Sequence, residues 1–206
     1  MRDTELAGLV CARICHDLAS PLGAVANGAE MMRELGGADC SAELAMVEQS
    51  ARRAVALIQF HRLAFGSHGD PGLQIGRGDV RDRIVPVLTN PRVSLIWNAG
   101  EHGEMPLATG RLVGLMLLAA RSMLGPSGTL TVLLPVEDTL PVAVMADGPR
   151  AAPTEDQREW LRGTNAGLPD SRHVEFALLP AAAAAIGARL ELIEDSGRLA
   201  LRALPG

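Results

Sequence analysis

No lysine occurs among the 206 residues, so all 19 basic side chains are arginine. That absence excludes a P-loop lysine, a Schiff-base lysine and a kinase-type catalytic lysine. Tyrosine is missing as well, and three Phe and two Trp are the whole aromatic complement. With a formal net charge of -5, the chain offers neither a stacking platform nor a basic face for nucleic acid. Cysteine is scarce too. The three thiols cannot all pair, and Cys11 and Cys15, four residues apart, are expected on the buried side of the first helix as reduced core thiols of a cytoplasmic protein. Long apolar runs are also lacking: the stretch Leu112 to Ala120 is bracketed by Arg111 and Arg121 and falls short of the roughly 20 residues of a membrane span. The opening Met-Arg-Asp-Thr-Glu does not read as a secretory signal.

What is present is helical at the start. At about 100° per residue, Leu6, Val10, Ile14, Leu18, Leu22, Val25, Ala29 and Met32 share one stripe, which predicts a helix from Thr4 to Leu35 that Gly36-Gly37 ends. Leu44, Val47, Ala51, Val55, Ile58 and Leu63 predict a second helix from Ser41 to Phe65. The two form an antiparallel hairpin whose wide apolar faces call for a second copy, giving a homodimeric four-helix bundle. Breakers from Gly66 to Gly72 mark a linker, and the chain is expected to divide into 1–68 and 69–206.

Beyond the linker the pattern mixes types. Asp79 to Leu88, Thr109 to Leu124, Glu155 to Leu161 and Val174 to Ile186 read as helices, and Val93 to Trp97, Gly128 to Leu134 and Pro141 to Met145 as strands. Ala188 to Ile193 and Arg198 to Ala203, joined by Asp195-Ser196-Gly197, read as a hairpin. The fold class is α+β, helices over one sheet.

The most informative segment is His16-Asp17-Leu18-Ala19-Ser20-Pro21-Leu22. A lone helical histidine is ordinarily a surface or satisfied core residue. His16 projects away from the apolar stripe, among the small residues Ala12, Ala19, Ser20, Gly23 and Asn27, so another globular domain can approach the ring closely. Pro21 lies inside the helix, where it removes a backbone hydrogen bond at a cost of about 3 kcal/mol. A metal site from Cys11, Cys15 and His16 is not expected, because these side chains project to different sides and no fourth ligand is near in sequence. His61, His68, His102 and His173 are scattered and carry no assigned role.

A hairpin bearing His-Asp-Leu-x-x-Pro-Leu before an α/β unit of this size resembles the core of a sensor histidine kinase. Three nucleotide boxes of that family are broken here. Ala119 stands where the kinases have a metal-linked asparagine and Ser122 where a lysine or histidine is usual. The adenine box survives only as Asp147-Gly148-Pro149-Arg150, and the phosphate-cradling turn reads Arg172-His173-Val174-Glu175-Phe176. An intact histidine box with a degenerate ATPase-like domain is similar to the ChpT-type histidine phosphotransferases, whose N-terminal signature the run Cys11 to Gly28 matches.

The resemblance implies a relay. His16 takes a phosphoryl group from the aspartate of an upstream hybrid-kinase receiver and passes it to the aspartate of a downstream, CtrA-like response regulator, without ATP or any cofactor of its own. Magnesium is expected on the receiver. Arg13 is a candidate to hold the phosphate and Ser20 to orient the ring, while Ala12, Ala19, Gly23 and Asn27 are expected in the receiver footprint. Asp17 is a second catalytic candidate, with an electrostatic role equally open, since neighbours on a helix point about 100° apart and do not easily share a hydrogen bond. A divergent, ATP-binding kinase and a non-catalytic scaffold are the alternative readings.

Overall fold

The computed structural model describes residues 2–36, 39–66, 72–135, 140–164 and 167–206. Two long helices come first, α1 (Arg2–Glu34) and α2 (Ser41–Phe65). The spacing of small residues explains how they meet. Pro21 and Gly28 are the buried positions of α1, and a Cβ added at Gly28 would lie 2.6 Å from Cγ2 of Val47, so the absence of a side chain there lets α2 approach. The large apolar residues of the predicted stripe stay partly open instead, with Leu22 53% exposed. Helix α1 runs unbroken through Pro21.

Cys11 and Cys15 are exposed, not core thiols. They flank the stripe, and a single hairpin has nothing to cover that side. The expected division of the chain after residue 68 falls among residues 67–71, outside the described ones.

The second half begins with β1 (Gln74–Gly76) and α3 (Arg77–Leu88), then β2 (Val93–Asn98), β3 (Glu104–Pro106) and α4 (Leu107–Leu124). It continues with β4 (Gly128–Leu133), β5 (Val142–Asp147), α5 (Glu155–Arg162), α6 (Val174–Ala184), β6 (Ala188–Asp195) and β7 (Arg198–Pro205). A 3-10 turn at Ser171–His173 leads into α6. Five strands form one sheet in the order β2-β4-β5-β7-β6, parallel only at β2–β4. The antiparallel pair β1–β3 was not anticipated from the sequence, since strands of three residues carry too little alternation to read.

Register sets the inner face. Trp97, Val132, Val144, Leu201 and Leu192 lie in one row across the sheet, and all pack into or against the core. Helix α4 is apolar all round because the sheet lies on one side of it and α2, α3 and α6 on the other. By length and composition both α4 and Asp3–Glu34 could cross a membrane, so α4 exceeds the nine-residue run visible in the sequence. Most of α4 is buried within the protein itself.

One core serves both halves. Phe60, Leu63 and Ala64 of α2 belong to the same buried cluster as Val80, Leu112, Leu115 and Phe176. Polar ties reinforce the junction: Arg53 donates to the carbonyls of Pro86 and Val87 at the end of α3, and Nε of Arg111 donates to the Ala64 carbonyl.

Candidate functional site

His16 stands on the outer side of α1 with its side chain 57% exposed. Its Nδ1 lies 3.2 Å from Oδ1 of Asp17, which corrects the expectation that adjacent helical residues do not easily pair. The carboxylate is short, and it leans back along the helix to meet the ring. Nε2 is then the nitrogen left for chemistry.

Asp17 is the hub. Its Oδ2 accepts from Nε of Arg13 at 2.7 Å, one helical turn back, and lies 3.4 Å from Nε2 of His61 on α2. Burial alone would push this carboxyl up, but the contacts with His61, Arg13 and His16 outweigh it and hold the group well below the usual carboxylate range. The contacts thus favour the ionised form of Asp17.

Arg13, the candidate phosphate holder, is engaged within the protein. Besides Asp17, its guanidinium donates to the Arg172 carbonyl and lies 3.7 Å from Oε2 of Glu175. It thus bridges the hairpin to the first turn of α6. Glu175, in the turn that stands where the kinases cradle phosphate, is buried beneath Arg13 with 1% exposure. Burial pushes its carboxyl up to about 7 against the partial pull of Arg13.

A cavity of about 950 Å³ opens beside this cluster, between the hairpin and the sheet unit. His16, Asp17, Ser20 and His61 line it together with Arg13, Arg52, Arg53, Arg121 and Arg172. Of the residues expected at the site, Arg13, Ser20 and the His16-Asp17 pair thus gather at the cavity. Ala12, Ala19, Gly23 and Asn27 are exposed along α1 outside it, and a Cβ at Gly23 would meet nothing within 4 Å.

His61 is the residue that sequence reasoning passed over. A signal was present: counted from the facing ends of the two helices at Glu34 and Ser41, Asp17 and His61 fall within one helical turn of each other on the two arms of the hairpin.

Of the residues that stand at the kinase-like nucleotide boxes, Ser122, Arg172 and Glu175 line the cavity, while others pack inside the protein. Ala119 is fully buried, and the Ser122 hydroxyl donates to its carbonyl. The Gln157 amide donates to Ser122 Oγ, from an α5 anchored by the Thr154 capping box. Gly148 has a packing reason to persist, since a Cβ there would lie 2.6 Å from the Ser127 carbonyl oxygen. Among the described residues no group of three or more His, Cys, Asp or Glu is arranged to hold a metal ion.

Residues 77–198 match the family model for the histidine phosphotransferase C-terminal domain. The chain is 39% identical over 137 residues to protein phosphotransferase ChpT of Brucella abortus (strain 2308). That alignment takes in 66% of this chain and spans 64% of the relative's length. A bacterial phosphotransferase solved at 1.7 Å superposes with a TM-score of 0.80 at 29% identity, covering 97% of this chain and 96% of that one. The histidine kinase domain of the Erythrobacter litoralis EL346 blue-light activated histidine kinase aligns with a TM-score of 0.49 at 15% identity, over 93% of this chain and 94% of that one.

Proposed function

From the premise that this chain belongs to the histidine phosphotransferase family, we propose that it relays phosphoryl groups between receiver aspartates through His16. The observation that carries the reading is the His16 ring itself: open to solvent, with Nδ1 against an ionised Asp17 and Nε2 free for attack.

The chemistry balances without a cofactor on this chain. The Nε2 lone pair forms the N–P bond while the acyl O–P bond of a receiver phosphoaspartate breaks, and its electron pair returns to the aspartate oxygen. The proton on Nδ1 stays in place, facing Asp17, which stabilises the cationic ring of the phosphohistidine. Reversal delivers the group to a second receiver, and magnesium belongs to the receiver's side of the encounter. The upstream donor is a hybrid kinase receiver and the downstream acceptor a CtrA-like regulator.

Ala119, the Ser122–Gln157 bond and the close packing at Gly148 support a relay that takes no phosphate from ATP. Leu22, Leu44, Val55 and Ile58, exposed together on the hairpin, support a homodimer in which two hairpins close a four-helix bundle. A dimeric bundle also accounts for the apolar length of α1, consistent with a cytoplasmic protein that binds neither membrane nor nucleic acid.

The test compares two donors. Incubation with a phosphorylated CtrA-like receiver labels His16, incubation with radiolabelled ATP does not, and His16→Ala abolishes the label. Labelling of His16 by ATP would make the protein a kinase, and no label from the receiver would end the relay reading.

A further inference from the structure

His61 lies on α2 with its side chain 3% exposed. Buried polar groups are normally paired, because leaving one unsatisfied costs about 1–3 kcal/mol. Neither ring nitrogen of His61 makes a well-aligned hydrogen bond, yet Nε2 is 3.4 Å from Oδ2 of Asp17. The ring cannot easily turn away. It stacks on Phe65 with centroids 5.3 Å apart and an interplanar angle of 13°, and Phe60 lies 5.9 Å off on a tilted plane. A leucine or phenylalanine would fill such a site without the cost of a buried imidazole, so the polar edge facing Asp17 is what the histidine adds.

We propose that His61 is a positioning residue for phosphoryl transfer at His16. The Nε–H of Arg13 donates to Oδ2 of Asp17 and the Nε2 edge of His61 bears on the same oxygen from 3.4 Å, so that the carboxylate presents Oδ1 to Nδ1 of His16. That ring then keeps its proton on Nδ1 and its lone pair on Nε2, the form that attacks phosphorus. The role rests on the relay reading for its purpose, but the coupling of His61 to the His16 tautomer exists without phosphate and is measured without it.

The experiment uses the full chain labelled with ¹⁵N-histidine, whose two-bond correlations separate Nδ1–H from Nε2–H rings. Wild type shows His16 mainly as the Nδ1–H tautomer. His61→Phe, which keeps the stack on Phe65 and removes the donor, moves His16 toward the Nε2–H tautomer. It also slows phosphorylation of His16 by phosphoramidate about fivefold, the factor that one lost net hydrogen bond carries. His61→Gln, whose amide donor reaches the same oxygen, restores the wild-type tautomer and rate. An unchanged His16 tautomer in folded His61→Phe overturns the proposal. If that variant does not fold, Asp17→Asn decides: the ring signals of His16 and His61 move together, and a response of His16 alone overturns the proposal. Wild type that shows the coupling but takes no label from a phosphorylated receiver would remove the relay reading and leave the His61–Asp17 hold intact.

Discussion

Neutralising Glu175 should stabilise this protein above neutral pH and flatten its pH dependence. The carboxyl sits in the first turn of α6 with 1% exposure, and Oε2 has no hydrogen bond. Its nearest countercharge is Arg13 at 3.7 Å, too distant to repay the burial. The folded-state pKa is pushed up to about 7 from an ordinary 4.5. A carboxyl raised in this way makes the folded state the better proton binder, so its stabilising contribution is full below pH 4.5 and is lost as pH rises through 7. The whole difference amounts to about 3 kcal/mol of stability between mildly acidic and mildly alkaline solution. Glu175→Gln removes the titration. Urea unfolding of both proteins at pH 5 to 8, at one fixed protein concentration so that any self-association contributes equally, is the assay. Wild type should lose stability across the range, while the variant stays nearly level and gains about 1–3 kcal/mol at pH 8, less whatever the Arg13 attraction supplied. Parallel curves for the two proteins, or a variant less stable at pH 8, would show that Glu175 is not held as a buried acid and would refute the reasoning.

Asp17→Asn should slow acceptance of phosphate from a phosphorylated receiver by about tenfold or more, read by radiolabel transfer, because the variant loses the carboxylate that steadies the cationic ring. Gly28→Ala reverses the usual sign of such a change. Alanine normally gains about 1 kcal/mol over glycine inside a helix, but a Cβ 2.6 Å from Val47 Cγ2 should make this variant less stable in chemical denaturation. Ile58→Arg, at a position 48% exposed on the hairpin's apolar face, should abolish the proposed dimer in light scattering, with the helical circular dichroism retained.

The helices and most strands were legible because their apolar periods are long. Ser41–Phe65 and Val93 through Trp97 needed no tertiary information, whereas β1 and β3 pair only because the chain between them folds back through α3 and β2. His16 was legible from its box. The cluster around it was not, because it depends on three elements meeting: Asp17 and Arg13 on α1, His61 on α2 and Glu175 on α6. A helical wheel treats each helix as alone, so it placed Arg13 as open to an incoming anion and had no partner for His61. Nor could it tell that the small residues Pro21 and Gly28 take the contact with α2 and leave the large apolar stripe of α1 open. Cys11 and Cys15 went to the wrong environment for the same reason.

The core shared by α2 and α4 has a consequence for how partners are told apart. In the relay proposed above, a receiver that reaches His16 meets α1 and the wall of the sheet unit as one joined surface, since Phe60, Leu63 and Ala64 share the core of the second half and Arg53 bonds the end of α3. The two halves already share one core in the free chain, so in that relay little of the docking free energy goes into bringing them into line. Discrimination then resides in the contour itself, and a substitution deep in the junction between α2 and α4, far from any contact with a receiver, would blur the choice of partner by loosening the frame that holds that contour.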